Sequence, residues 1–243
     1  MLISSCVTHE SMVYLEGKGN NTFDKYKEYS YKLRPRDILS IRLNSLESNT
    51  ATYFNEEQSA NSGGGMVNNV LLYLSGYIIN EKGYIKLPLV GDILVAGMTL
   101  EEVKEDIDLK LKDYLKFASV SVKLANFRVT VLGEVKNPGQ YYVYEEKVTL
   151  LQALSMAGGF TQFSDNKKVK LVREGNDKNE TYYLDLSKET ILQSDQFFLL
   201  PNDLIYVEPV KAKAFNINVG TAGLIVSVVS VAALIANIIL SNQ

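Results

Sequence analysis

"VTVLGEVKNPGQYYVYEEKVTLLQALSMAGGF", residues 129–160, is the stretch on which the fold turns. Its opening belongs to "RVTVLGEV" (128–135), whose alternating apolar residues read as a strand. Asn137-Pro138-Gly139 follows, with Pro at one central turn position and Gly at the next, which suits a type II turn before "QYYVY" (140–144). Thr149 stands three residues before Gln152 as a capping box, and Leu150, Leu151, Leu154 and Ala157 give a short helix that Gly158-Gly159 ends. Downstream, "KKVKLV" (167–172), "TYYLDL" (181–186) and "DLIYVEP" (203–209) read as strands. Two strands, a helix and further strands make a compact α+β unit of the β-grasp kind over 126–210, its last strand also able to pack back on whatever precedes it.

Upstream the same recipe recurs. "YKLRPRDILSIRL" (31–43) carries a strand of Ile38, Leu39, Ile41 and Leu43, entered through a turn with Pro35 and Asp37. The polar, Gly-rich stretch around 48–70 reads as a flexible insertion, and its Gly63–Gly65 lack the Lys and Ser/Thr of a phosphate loop. "GYIINEKGYIKLPLVGDILV" (76–95) then reads as strand, turn at Glu81–Gly83, and strand. Thr99 and Glu102 form a capping box for a helix over about 99–116, with Leu100, Val103, Ile107, Leu111 and Tyr114 on one face, and "ASVSVKL" closes the unit. This first unit spans 31–125, behind an arm of residues 1–30.

"LRPRDILSI" (33–41) and "LLPNDLIYV" (199–207) echo each other, sharing Leu-x-Pro-x-Asp before alternating aliphatics. The reason is local: Pro35 and Pro201 fix φ entering the turn, and Asp37 and Asp203 cap its amides. As catalytic carboxylates, Glu134, Asp185 and Asp203 could be nominated, but the sequence brings no two into a common cleft, so solvated surface charge is the reading. One cysteine and one histidine leave no material for an internal disulfide or a zinc centre, and no metal or cofactor is expected. A net charge of −3 without a basic stripe argues against nucleic acid as a partner.

The two ends of the chain are different in kind. Residues 214–243 carry no charge, and at about 1.5 Å per residue the core from Val219 to Leu240 makes a helix of roughly 33 Å, enough for a hydrocarbon layer of about 30 Å. On that helix Asn216, Gly223, Ser227, Ser230, Asn237 and Ser241 gather within roughly 80°. Such a stripe either faces a water-filled lumen in a ring of helices or packs helix on helix, and both predict oligomerisation. At the other end, Ile3-Ser4-Ser5-Cys6 is similar to the lipobox of bacterial lipoproteins; only five residues precede Cys6, so the reading expects an earlier start for an export signal. Lys211 and Lys213 ahead of the helix would keep the body cytoplasmic in an inner membrane, whereas a lipidated Cys6 requires the opposite. An outer membrane accommodates both, with the body on its periplasmic side.

Taken together, "YKLRPRDILSIRL", "GYIKLPLVGDILVAGMTLEEVKEDI" and residues 129–160 resemble the Wza-type outer-membrane polysaccharide export proteins. The first two stretches are similar to the polysaccharide export domain and the third to the soluble-ligand-binding β-grasp (SLBB) domain. The resemblance implies an α+β chain with an export domain, one SLBB domain and a C-terminal transmembrane helix at 214–243. It implies a non-enzymatic lipoprotein of a Gram-negative outer membrane, acylated at Cys6, whose subunits form a homo-oligomeric ring. Capsular or extracellular polysaccharide would pass through an α-helical barrel, with Asn216, Ser227, Ser230 and Asn237 as pore-facing candidates. The implied partner is an inner-membrane polysaccharide co-polymerase, often a tyrosine autokinase. A single β-grasp repeat implies a shorter periplasmic cavity than in members with more. Two rivals stand beside this reading: a membrane-tethered periplasmic glycan-binding or scaffold lipoprotein without a pore, and a periplasmic enzyme, which would need two convergent carboxylates.

Overall fold

The computed structural model describes residues 13–17, 30–45, 75–115, 118–175, 178–210 and 230–231. The expected lipidation site Cys6, the insertion around 48–70, and Asn216, Ser227 and Asn237 lie outside the described residues. Among the described residues no helix is long and apolar enough to cross a membrane. The expected span at 219–240 falls outside them except for Ser230 and Val231, which are helical.

The first unit opens with strand β1 (Ile38–Ser45), central between β2 (Tyr77–Ile78) and β5 (Ala118–Leu124) in an antiparallel sheet. The period of two sends Leu39, Ile41 and Leu43 inward, and Ile41 faces Val122 while Leu43 faces Val120 across the β1–β5 ladder. The segment expected as a second strand after Gly83 is a hairpin instead, β3 (Tyr84–Leu87) and β4 (Gly91–Leu94). Pro88 cannot donate to a ladder and Leu89 takes φ 64°, so the chain reverses there.

Helix α1 (Leu100–Leu111) starts at the expected capping box, with Thr99 and Glu102 exchanging bonds, and buries Val103, Ile107 and Leu111. It ends about a turn earlier than the sequence suggests. Tyr114, expected on the apolar face, is 58% exposed, because the turn after Leu111 swings it outward and puts Leu115 into the core in its place.

The second unit is a five-stranded sheet in the order β7-β6-β10-β8-β9, built from β6 (Arg128–Gly133), β7 (Gly139–Tyr142), β8 (Ser164–Glu174), β9 (Asn179–Leu184) and β10 (Leu204–Pro209). β10 lies in its middle, parallel to β6 and antiparallel to β8. Helix α2 (Leu150–Met156) buries Leu150, Ala153 and Leu154 under one face, where Val129, Val131, Val169, Leu171, Ile205 and Val207 complete the core. Gly158 and Gly159, at φ 76° and 78°, end α2 in the left-handed region. The amides of Lys136 and Asn137 donate to the Gly159 and Ala157 carbonyls, so the "VKNPG" and "MAGGF" pieces of the opening stretch meet in space. Gly139, expected in a type II turn, has no positive φ; it opens β7 opposite Val131, and ladder pairing sets its extended backbone.

A short piece of the arm docks on this second unit. Tyr14 stacks on Phe160 with ring centroids 5.1 Å apart, Leu15 donates to the Leu186 carbonyl, and Glu16 bridges Lys188 in parallel.

Candidate functional site

The residues singled out by the sequence fall into two places, a junction between the units and a corner at the far end of the second. At the junction each Leu-x-Pro-x-Asp segment forms the same turn. Asp37 N–H donates to the Arg34 carbonyl at 3.2 Å and Asp203 N–H to the Leu200 carbonyl at 3.1 Å. Arg36 and Asn202, just after the prolines, have φ 75° and 67°, the third-residue conformation of a type II turn. Each aspartate reaches back to cap the turn's first amide, Arg34 N–H to Asp37 Oδ2 at 2.9 Å and Leu200 N–H to Asp203 Oδ2 at 2.8 Å.

Beyond that the two aspartates part company. Asp203, 1% exposed, takes a two-pronged contact from Arg173, Nε to Oδ1 at 3.0 Å and Nη2 to Oδ2 at 2.7 Å, while the same Nη2 donates to the Phe198 carbonyl. Asp37, 4% exposed, takes the Tyr31 hydroxyl at 2.9 Å. Burial raises both carboxyls above the ordinary value; hydrogen bonds from Arg34 and Tyr31 oppose the rise at Asp37, and Arg173 opposes it at Asp203.

The turns also tie the units together. Arg34 Nη1 donates to the Glu174 carbonyl at the end of β8, and its guanidinium lies 6.0 Å over the Tyr31 ring. Asn126 accepts from Ile38 N–H and donates to the Arg36 carbonyl, and Asn202 N–H donates to the Arg128 carbonyl. The link between the units is therefore hydrogen-bonded to both turns rather than slack.

Glu134 and Asp203 are not the solvated surface charges expected of them, being 8% and 1% exposed. Their burial is satisfied locally, since Glu134 Oε2 accepts from the Thr161 hydroxyl at 2.7 Å and Asp203 is held by Arg173. Nor do they converge. Asp203 precedes β10 whereas Glu134 bonds Val207 at its other end, four residues or about 13 Å along the strand. At Asp185 burial alone would raise the carboxyl, but bonds from Ser187 and Lys188 together hold it below the usual value. Among the described residues no group of three or more His, Cys, Asp or Glu could hold a metal ion.

Sequence reasoning missed one surface. On the sheet face away from α2, Lys170 lies between Tyr183 and Tyr206, 5.4 and 5.9 Å from their ring centres, and pairs with Glu208 at 2.6 Å. Its signal was the alternation in "KKVKLV", "TYYLDL" and "DLIYVEP", whose outward positions carry these side chains.

Residues 25–125 match the family described as polysaccharide biosynthesis/export protein, and residues 127–207 match the SLBB domain. The chain is 34% identical over 139 residues to the EPS I polysaccharide export outer membrane protein EpsA of Ralstonia nicotianae, covering 56% of this chain and 36% of that protein. The EpsA protein of Ralstonia solanacearum is 36% identical over 104 residues, 41% of this chain and 28% of the relative. The exopolysaccharide production protein ExoF of Rhizobium meliloti is 34% identical over 96 residues, 38% and 23% respectively. The matched part thus spans about a third of the length of the first relative and less of the others. The chain carries a polysaccharide biosynthesis/export module and an SLBB module in tandem over most of its length, and the matches together support a Wza-type polysaccharide export protein.

Proposed function

We propose that this chain is a subunit of a polysaccharide export channel of a Gram-negative outer membrane, with its body in the periplasm. The observation that carries the reading is the tandem of export and SLBB modules, joined by two like turns into a braced junction, as befits a stave in a wall rather than beads on a string. Cys6 would carry the lipid, and residues 219–240 would cross the bilayer as one helix of a barrel, with Asn216, Ser227, Ser230 and Asn237 toward the lumen. The ring would dock on an inner-membrane polysaccharide co-polymerase. The chain's own contribution is passive: it replaces lipid by a protein wall and presents backbone and small polar side chains along the path.

The test is the mass of the detergent-extracted complex, full length against a chain ending at Lys213. A defined ring of many subunits that weakens without the tail supports the barrel. A monomer or dimer in both would turn the tail into a mere anchor and favour a glycan-binding lipoprotein. The Tyr183–Lys170–Tyr206 row favours that second reading, because tyrosine faces beside a paired ammonium and carboxylate suit the CH faces and hydroxyls of a sugar.

A further inference from the structure

The sheet of the first unit has two unlike faces. One buries Leu39, Ile41 and Leu43 of β1 in the core that α1 closes, and α1 carries five acidic residues to two lysines. The other face is open. The period of two puts Ser40, Arg42 and Asn44 of β1 on it, directly opposite Lys123, Ser121 and Ser119 of β5 in the ladder. Arg42, Asn44, Ser119 and Lys123 are exposed, and Ser40 and Ser121 are half-buried. No acidic residue stands on either strand.

The charges on this face are placed together and left uncompensated. Arg42 faces Ser121 and Lys123 faces Ser40, so the two cations are diagonal neighbours, about 7–8 Å apart at the backbone, each with a hydroxyl across from it. Among the described residues neither cation has an ion-pair partner, whereas Lys104 and Lys110 on α1 are each held by an acid of their own helix. The face is a poor one to bury against another protein: its apolar residues among those described are Ile38 and Ile78, paired at one end, and interface cores are poor in charge.

A guanidinium is a planar fork that takes a carboxylate on two parallel bonds, and an ammonium adds a point charge. Serine and asparagine side chains both donate to hydroxyls and accept from them. A ligand that answers both sets carries carboxylates and hydroxyls side by side, as the charged units of an acidic glycan do. A neutral glycan leaves the cations unanswered, and an acidic peptide leaves the hydroxyls so. Outward side chains recur about every 6.8 Å along a strand, so an extended polymer is met at successive positions. The acidic helix on the far side repels a polyanion and leaves the open face as the favourable approach.

We propose that the open face of the β1–β5 sheet is a binding surface for an acidic polysaccharide, with Arg42 and Lys123 taking its carboxylates and Ser40, Asn44, Ser119 and Ser121 its hydroxyls. This rests on the export reading above and narrows its substrate to a carboxylate-bearing polymer.

The test follows the binding of end-labelled oligogalacturonate to the full-length protein in non-ionic detergent by fluorescence anisotropy, beside dextran and polyglutamate oligomers of matched length. Oligogalacturonate is expected to bind about tenfold more tightly than either, and to weaken as salt is raised. Arg42→Gln with Lys123→Gln should lose about tenfold in affinity, or one bidentate contact and one charge, with an unchanged circular dichroism spectrum because both side chains are exposed. Lys112→Gln, which removes an exposed cation beyond the end of α1, should change nothing. Dextran bound as tightly overturns the selection for acid, and polyglutamate bound as tightly overturns the part given to the hydroxyls. Affinity kept by the double variant, or lost equally by Lys112→Gln, moves binding off this face and overturns the proposal. No binding by a protein that keeps its ring mass overturns the proposal and leaves the export reading standing. Binding as expected by a monomer upholds the face while the ring falls.

Discussion

The turn at Arg34–Asp37 and the turn at Leu200–Asp203 share a backbone and a cap but differ in what sits behind the aspartate. Behind Asp203 is a guanidinium, itself only 11% exposed on its side chain, gripping both carboxylate oxygens; behind Asp37 is a phenol. The lesson is that a sequence motif specifies a local conformation, whereas the energetic weight of its carboxylate depends on partners the motif does not contain. A buried charge paired with a charge becomes a liability once its partner is removed, while one satisfied by neutral donors loses far less.

The largest break in this symmetry should come from Arg173. Replacing it by Met leaves Asp203 buried without its cation, with an expected cost of about 3–5 kcal/mol, read from urea unfolding by circular dichroism since the chain has no tryptophan. The same change should drive the Asp203 carboxyl further up, visible in its carboxyl NMR titration. A cost no larger than that of Tyr31→Phe would mean the two turns are energetically alike after all.

Next in size is Asp37→Ala, which removes the cap on Arg34 N–H and the Tyr31 partner together and should cost about 2 kcal/mol. Its pH dependence sharpens the point. The folded-state carboxyl lies above its ordinary 3.8 because burial raises it, so ionisation opposes folding. That contribution is full below 3.8 and is lost as pH rises through the folded value. Asp37→Asn, which cannot ionise, should therefore lag the natural chain most in acid, the gap narrowing as pH climbs; a gap that widens instead would reverse the assignment.

Tyr31→Phe should cost only about 1 kcal/mol, one neutral donor to a half-accessible network. Smallest are the left-handed positions. Arg36→Gly should gain up to about 1 kcal/mol by relieving φ 75° at a residue whose ion pair with Glu81 is exposed, while Asn202→Gly should be nearly neutral because Asn already tolerates φ 67°. Thermal melts of the two variants side by side decide it, and a larger gain at Asn202 would contradict the account.

Much of the fold was legible. Both capping boxes, the Gly158-Gly159 stop, the strand alternations and the Pro-x-Asp turns are written in contiguous residues, because each is enforced within a few bonds by φ limits and local hydrogen bonds. Where the reading failed, the deciding partner lay elsewhere in the chain. Gly139 became strand because Val131 was opposite it; Tyr114 lost its core place to Leu115 when α1 stopped early; Glu134 and Asp203 proved buried because Thr161 and Arg173, 27 and 30 residues away, were waiting for them.

The sequence by itself determined the two-module α+β order, the repeated turn and the uncharged tail. Only the tertiary structure decided that Arg173 belongs to Asp203, that Arg34 braces one module against the other, and that Val13 and Val210 are both hydrogen-bonded around the start of β8, to Asn166 and Phe163. Local sterics and capping act over a few residues and leave a readable pattern, whereas these pairings are made by strand register over tens of residues, and register is settled only when whole hydrophobic faces pack.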